Sequence, residues 1–589
     1  MLKHPLDTSI ILKKKHSIKR DLLSKQDLLI KNIAILGGST TSEIKNILEL
    51  FLLDIGIKAN FYESEYNKFY EEAVFANAKL EEFKPDVIYV HTTNLNIMTL
   101  PEANDSIEDV DKIFVAEEQK FLRIWNSLSK YNCAIIQNNF ELPQTRIFGN
   151  FDFYDYRGAV NYITRLNNFF ARESSARSNL YINDINYISA SIGLNNWFDK
   201  NLWLAYKYAV GYESIPILTK SISAIIGAIY GKSKKCLILD LDNTCWGGVI
   251  GDDGLSGISI GKETPVAEAY TEFQKYIKTL KIRGVAIAVC SKNEKTNAVE
   301  GFSHPDSILC VDDFVAFEAN WEPKNKNITK ISQTINLGMD SFVFIDDNPA
   351  EREIIISTLP TISVPNIGDD VTRFIEHIDK NYFFETVGLS SDDLQRNDYY
   401  KKNVKRIEEE QSCGSYEDYL LALNMVAEIK DFNQLYLDRI TQLVNKTNQF
   451  NLTTKRYSMA ELDFISKNEN YIALYGRLED KFGDNGLISV VIGRIENNEC
   501  HVDLWLMSCR VLKRNMEFAM LDCLVEKCRN KGLSKIVGYY CRTQKNQLVS
   551  DLYSTFGFSE IDRTENSSVW ELDIEQYDQK NISIRINTI

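Results

Sequence analysis

The chain has 589 residues, with 67 Lys+Arg against 82 Asp+Glu, giving a net charge of −15 at neutral pH. At roughly 100–200 residues per domain this predicts about three or four domains, and 44% hydrophobic with 25% charged residues excludes a largely disordered chain. The acidic balance argues against a nucleic-acid partner, and six scattered histidines argue against histidine-ligated zinc or a histidine-based triad.

Lys13, Lys14, Lys15, Lys19 and Arg20 lead the chain with no uninterrupted apolar stretch behind them, so the segment reads as a solvated basic lead rather than a secretory signal. No run of 18 apolar residues predicts a membrane span. Eleven dispersed cysteines with no CxxC pair fit reduced thiols in a cytoplasmic protein.

Ile33–Leu36 is an apolar run ending in Gly37-Gly38-Ser39-Thr40-Thr41. Ile44, Ile47, Leu48, Phe51 and Leu52 then mark one face of a helix stopped by Gly56. Residues 86–90 and 133–137 read as buried parallel strands, so the layout is doubly wound α/β. Such sheets place function at the carboxyl ends of strands, where Ser39, Asn94 and Asn138 fall.

The middle third carries the chemistry. Residues 236–239 form an apolar strand running into Asp240-Leu241-Asp242, and strand alternation would set both carboxylates on one side around a hard cation such as Mg²⁺. Val266, Tyr270, Phe273, Ile277 and Leu280 mark an amphipathic helix ended by Gly284, and the strand 285–290 then delivers Ser291. Lys324 precedes a helix with Ile328, Ile331 and Ile335, and the strand 342–345 ends in Asp346-Asp347. Ser291 and Lys324 could hold a transferring phosphoryl group, while Asp346 or Asp347 adds charge to retain the metal.

This order resembles the four motifs of the haloacid-dehalogenase superfamily. The resemblance implies Asp240 as nucleophile, Asp242 as general acid/base, and Asp240, Asp242, Asp346 and Asp347 around Mg²⁺. Only 48 residues separate Asp242 from Ser291 and 32 separate Ser291 from Lys324, too few for a substantial cap. An uncapped site favours a bulky or protein-borne substrate.

The strings 240–254, 290–293 and 344–349, with 137–140, 445–451 and 508–511 in the flanks, closely resemble the FkbH-like branch of that superfamily. The resemblance implies an enzyme that takes a glyceryl unit from 1,3-bisphosphoglycerate, removes phosphate, and delivers glyceryl as a thioester to the phosphopantetheine arm of an acyl carrier protein. Thioester transfer makes Cys509, Cys245 and Cys290 candidate acyl carriers. A plain phosphatase and a non-catalytic carrier-docking scaffold are the rival readings.

Both flanks resemble known folds. The first third is similar to SGNH-type esterases, with Ser39 and Asn94 as site candidates. Tyr187 stands where their Asp-x-x-His places the base, which favours a docking or substrate-holding domain over a hydrolase. The last third, with strands over 487–493, 502–507 and 535–540, resembles GNAT acyltransferases. Its loop Arg510-Val-Leu-Lys513-Arg514 lacks their glycines. Arg510, Lys513 and Arg514 are candidates to meet the arm's phosphate, and Tyr553 falls at that family's general acid. The expected architecture is α/β multidomain: an SGNH/flavodoxin-like domain over 1–230, an uncapped Rossmann-like haloacid-dehalogenase domain over 231–395, and a GNAT-like α+β domain over 396–589.

Overall fold

The computed structural model describes residues 1–24, 28–447, 449–508, 511–543 and 545–587. They divide into two compact units, 1–229 with 458–461, and 230–457 with 462–589. Among the described residues no helix is long and apolar enough to cross a membrane.

The first unit opens with helix α1 (Thr8–Leu23), which Asp7 caps by accepting from the Ile10 amide. The basic lead is therefore not a solvated segment. Ile11, Leu12 and Ile18 are buried, while Lys15 and Lys19 pair with Glu43 and Glu49 at 2.6 and 2.7 Å. Interrupting lysines break an apolar run in sequence yet leave an apolar stripe once the chain is helical.

Strands β1 (Leu29–Gly37), β2 (Ile57–Glu63), β3 (Val87–His91), β4 (Ala134–Asn138) and β5 (Leu180–Asn183) form a parallel sheet in the order β2-β1-β3-β4-β5, the flavodoxin-like order. Alternation divides its side chains. Ala34, Leu36, Ile88 and Val90 pack with Phe121 and Trp125 of α3 (Ile107–Leu128) and Phe170 of α4 (Ala159–Ala176). Helix α2 (Ser42–Asp54) packs against both α1 and α5 (Ile215–Ile229).

The second unit carries two sheets. Strands β6 (Cys236–Leu239), β7 (Ala286–Ser291), β8 (Ala316–Ala319) and β9 (Phe342–Ile345) run parallel in the order β8-β7-β6-β9. Leu237, Leu239, Ile287, Val289 and Ile345 pack with Phe273 and Ile277 of α6 (Pro265–Ile282). Cys236, Ile238, Ala288, Cys290 and Phe344 pack on the opposite face with Ile328, Ile331 and Ile335 of α7 (Lys324–Ile335). Val266, expected on the buried face, is exposed: it lies in the first turn of α6, ahead of the buried stretch. Gly284, at φ +95°, turns the chain from α6 into β7, and a Cβ there would lie 1.9 Å from the Asp393 carbonyl. Among the described residues no cap domain interrupts these elements.

Helix α8 (Arg396–Ser412) serves both sheets of this unit. Asn397 donates to the Lys281 and Val285 carbonyls, and Tyr400 joins the α7-side core. Arg406 reaches the second sheet through a bidentate pair with Asp480 at 2.9 and 2.8 Å. That sheet has eight strands, β10 (Val426–Asp431), β11 (Tyr471–Asp480), β12 (Gly483–Glu496), β13 (Glu499–Met507), β14 (Lys535–Cys541), β15 (Ser559–Arg563), β16 (Ser567–Asp573) and β17 (Arg585–Asn587). Their order is β15-β16-β14-β13-β12-β11-β10-β17, antiparallel except for the β13–β14 and β10–β17 pairs. Pairing of β13 with β14 stops at Val502 and Gly538, and residues 450–453 fill the opening beyond. There the Leu452 amide donates to the Trp505 carbonyl and the Cys541 amide to the Leu452 carbonyl. Asn451, the last residue of the string 445–451, is held there by the Asn546 side chain, which donates to its carbonyl at 2.9 Å.

Candidate active site

Asp240 leaves the carboxyl end of β6, with its amide bonded to the Ile345 carbonyl. Its Oδ2 lies 3.0 Å from Lys324 Nζ, which in turn lies 2.6 Å from Asp346 Oδ2. Strand-end acids of neighbouring strands thus share one buried ammonium. Burial works against the charge of Lys324, but the carboxylates of Asp240 and Asp346 outweigh it and hold its pKa above the ordinary lysine value. Burial, together with the charge of Asp240, pushes Asp346 up to about 7 and Asp347 upward.

The turn after β9 is fixed from below. Arg352 donates through Nη1 to the Asp346 and Asp347 carbonyls at 2.7 and 2.6 Å, and the Asn348 amide donates to Asp346 Oδ1 at 2.9 Å. The Thr244 hydroxyl accepts from the Asp347 amide at 3.2 Å.

One oxygen of each of Asp240, Asp346 and Asp347 lies within 4.8 Å of the others. Asp240 Oδ1 is buried with no hydrogen-bond partner. An all-carboxylate donor set of this kind suits a hard divalent cation, and an orphaned buried carboxylate oxygen is where such an ion removes the largest cost.

Asp242 is not part of that set, contrary to the expectation from strand alternation. The strand ends at Leu239, and Asn243 turns to φ +52°. The Asp242 carboxylate instead accepts from Trp246 Nε1 at 3.0 Å, from the Ile250 amide at 3.1 Å and from Asn293 Nδ2 at 2.8 Å. Asn293 also reaches Ser291 Oγ at 3.3 Å, which joins Ser291 to the same network. Trp246, Asn293, Thr244 and Arg352, which motif reading left without a role, are the residues that hold the Asp242 carboxylate and the turn after β9. The signal for the first three was present, since they lie inside the strings 240–254 and 290–293.

The candidate thiols fall differently. Cys245 is fully buried and donates to the Asp240 carbonyl at 3.2 Å; burial and the nearby Asp240 and Asp242 charges push its pKa well up. Cys290 faces α7 and donates to the Lys324 carbonyl at 3.6 Å, with its pKa raised by burial. Both are buried and turned onto backbone carbonyls rather than offered to a substrate, so both assignments are corrected to packing roles. Cys509 and Arg510 lie outside the described residues.

Arg514 is also reassigned. It is buried and donates to Asp480 Oδ2 at 3.0 Å, to Asn485 at 3.2 Å and to Asn403 at 3.0 Å, leaving it committed inside the protein rather than offered to a phosphate. Lys513 is exposed at φ +65°. Tyr553 is buried against Phe558, Trp570 and Gly538, a packing position.

In the first unit Ser39 is buried at the end of β1. Asn94 is spent on the Glu141 and Leu142 carbonyls at 3.4 and 3.3 Å, and no hydrogen bond joins it to Ser39 among the described residues. Asp184 caps the Tyr187 amide at 3.1 Å, and Tyr187 is exposed, so no base stands where an esterase keeps one.

A parallel sheet that gathers its acids, serine and lysine at the carboxyl ends of β6, β7 and β9 places this unit in the haloacid-dehalogenase class. The FkbH N-terminal domain model matches residues 32–227. The N-terminal part of BF1531 from Bacteroides fragilis, which contains a phosphatase domain and was crystallised with Mg, is 31% identical at a TM-score of 0.58, covering 64% of this chain and 99% of that one. The chain belongs to the FkbH family. PaiA N-acetyltransferase from Thermoplasma acidophilum, in complex with coenzyme A, is 16% identical at a TM-score of 0.21, over 25% of this chain and 98% of that one. A GNAT-family acetyltransferase from Staphylococcus aureus Mu50 is 15% identical at 0.21, over 25% and 99%. No curated protein matches the chain.

Proposed function

We propose that the second unit is a Mg²⁺-dependent phosphatase-type enzyme. The observation that carries this reading is Asp240: one oxygen held by Lys324, the other buried and unpartnered beside Asp346 and Asp347. Mg²⁺ bound by these three carboxylates would neutralise charge on a phosphoryl group. Asp240 attacks phosphorus, the bond from phosphorus to the substrate oxygen breaks, and that oxygen takes a proton from Asp242. Water then cleaves the aspartyl phosphate to release inorganic phosphate. Trp246, Asn293 and the Ile250 amide orient Asp242, and Ser291 and Lys324 receive the phosphoryl oxygens.

The substrate we assign is a glyceryl unit from 1,3-bisphosphoglycerate. A thiol attacks its acyl-phosphate carbon and displaces one phosphate, and the Asp240 site removes the remaining phosphoester. The product is a glyceryl thioester on an acyl carrier protein. Absence of a cap supports a protein-borne substrate, and the burial of Cys245 and Cys290 favours the carrier's own thiol as attacker over either of them. The first test is metal removal. Chelation is expected to lower phosphate release at least ~100-fold and added Mg²⁺ to restore it; release at an unchanged rate in chelator contradicts the proposal.

A further inference from the structure

The chain has seven tryptophans. Trp125, Trp197, Trp246, Trp505 and Trp570 are buried and Trp203 is half-buried, whereas Trp321 is 67% exposed. It lies in the short loop between β8 and α7, at the carboxyl-end edge of the sheet and three residues before Lys324. A single exposed apolar side chain is ordinary on a protein surface. This one differs because both its backbone and its ring are fixed to parts of the phosphoryl site.

The backbone is fixed first. Ala319, the last residue of β8, pairs in register with Ser291, and the Asn320 amide donates to the Ser291 carbonyl at 3.2 Å. Asn320 Oδ1 accepts from the Glu322 amide at 2.9 Å and from Asn327 Nδ2 of α7 at 2.8 Å, which clamps the loop on both sides of Trp321. The ring is fixed next. Trp321 Nε1 donates to Glu294 Oε1 at 2.7 Å, and Glu294 stands three residues after Ser291, at the start of the short helix Lys295–Gly301. The indole therefore reaches from the loop after β8 to the loop after β7. One hydrogen bond at its edge sets its orientation and leaves its apolar surface in solvent.

The neighbouring charges at this edge are already paired. Lys292, between Ser291 and Asn293, meets Glu351 at 2.6 Å. On the loop after β6, Val249 is also exposed and directly precedes Ile250, whose amide holds Asp242. The loops that carry the phosphoryl site thus present apolar surface at Trp321 and Val249 with no cap domain to cover it. A pre-oriented aromatic side chain is the type that carries most binding energy when a ligand is laid on it, because little side-chain freedom is lost.

We infer that Trp321 is a specificity-determining residue of this site, the surface on which the arm of a phosphoglyceryl thioester lies while its phosphate is held at Asp240. The phosphoglyceryl group is hydroxyl and phosphate throughout and has little apolar area to offer an indole. The arm that begins beyond its three carbons alternates methylenes with amides, and these pack on an aromatic face. Trp321 then selects arm-borne phosphoesters over small ones in place of the missing cap. The identity of the arm rests on the function proposed above.

Kinetics of the full chain with Mg²⁺ on two substrates test this: the 3-phosphoglyceryl thioester of phosphopantetheine, and p-nitrophenyl phosphate. In Trp321→Ala the ratio of kcat/KM for the thioester to that for p-nitrophenyl phosphate is expected to fall roughly tenfold, through a higher KM for the thioester. Trp321→Phe keeps an aromatic face without the Glu294 bond and is expected to fall between the two. A ratio equal to wild type in Trp321→Ala, or an equal loss on both substrates, would overturn the inference. Calorimetric titration of the thioester into Asp240→Asn, with and without Trp321→Ala, reads binding apart from turnover, and the double variant is expected to bind roughly tenfold more weakly. Equal affinity of the two would overturn the inference and leave the proposed function standing. A wild-type chain that releases no phosphate from either substrate sinks the proposed function, while the titration still decides the role of Trp321.

Discussion

Asp240→Asn is expected to lower phosphate release by at least ~1,000-fold, about 4 kcal/mol of transition-state stabilisation. The amide keeps the shape of the side chain and can still meet Lys324, but its oxygen does not form a stable bond to phosphorus. Because the substitution also removes one negative charge from a site that holds Asp346 and Asp347, the folded protein is expected to be as stable as wild type or more so. Phosphate release and a thermal melt on the same sample separate the two effects. A variant that releases phosphate at the wild-type rate removes Asp240 from the nucleophile's role.

Lys324→Met carries the second large effect, and it acts on both stability and turnover. The lysine is buried between Asp240 and Asp346, and methionine preserves most of its apolar volume. Removing one partner of a buried ionic cluster leaves the remaining charges uncompensated, at a cost of about 3–5 kcal/mol. Denaturant melts in chelator should show that loss. Added Mg²⁺ should recover part of the stability, since the same carboxylates would then face a cation again. Activity is expected to fall on the order of 100- to 1,000-fold even with Mg²⁺, because the phosphoryl oxygens lose a fixed cation. Identical melts for variant and wild type in chelator would show that Lys324 does not bridge the two acids.

The core of the second unit was legible because its signals are local. Apolar runs at 236–239 and 342–345 and the heptad-like spacing of Tyr270, Phe273, Ile277 and Leu280 each specify an element without reference to the rest of the chain. The placement of Asp240, Ser291, Lys324 and Asp346 followed, since each stands at the junction of a strand or helix with its loop. What failed was any step that extended a local rule past the end of its element. Alternation set Asp242 beside Asp240, but the strand had already ended at Leu239. A basic pair at 513–514 suggested an exposed anion site, yet Arg514 folds onto Asp480, 34 residues earlier at the end of β11, a partner invisible in the string itself. Lysines in the first twenty residues hid an amphipathic helix for the same reason: their partners, Glu43 and Glu49, lie on α2.

Intact-mass analysis of an acyl carrier protein bearing its phosphopantetheine arm, incubated with the enzyme, Mg²⁺ and freshly generated 1,3-bisphosphoglycerate, tests the central claim most directly. The account predicts a carrier heavier by one glyceryl group, with inorganic phosphate released and no phosphate retained on the carrier. Asp240→Asn should instead leave the carrier unmodified or carrying phosphoglyceryl. A carrier of unchanged mass while wild-type enzyme still releases phosphate would contradict glyceryl transfer and leave a plain phosphatase in its place.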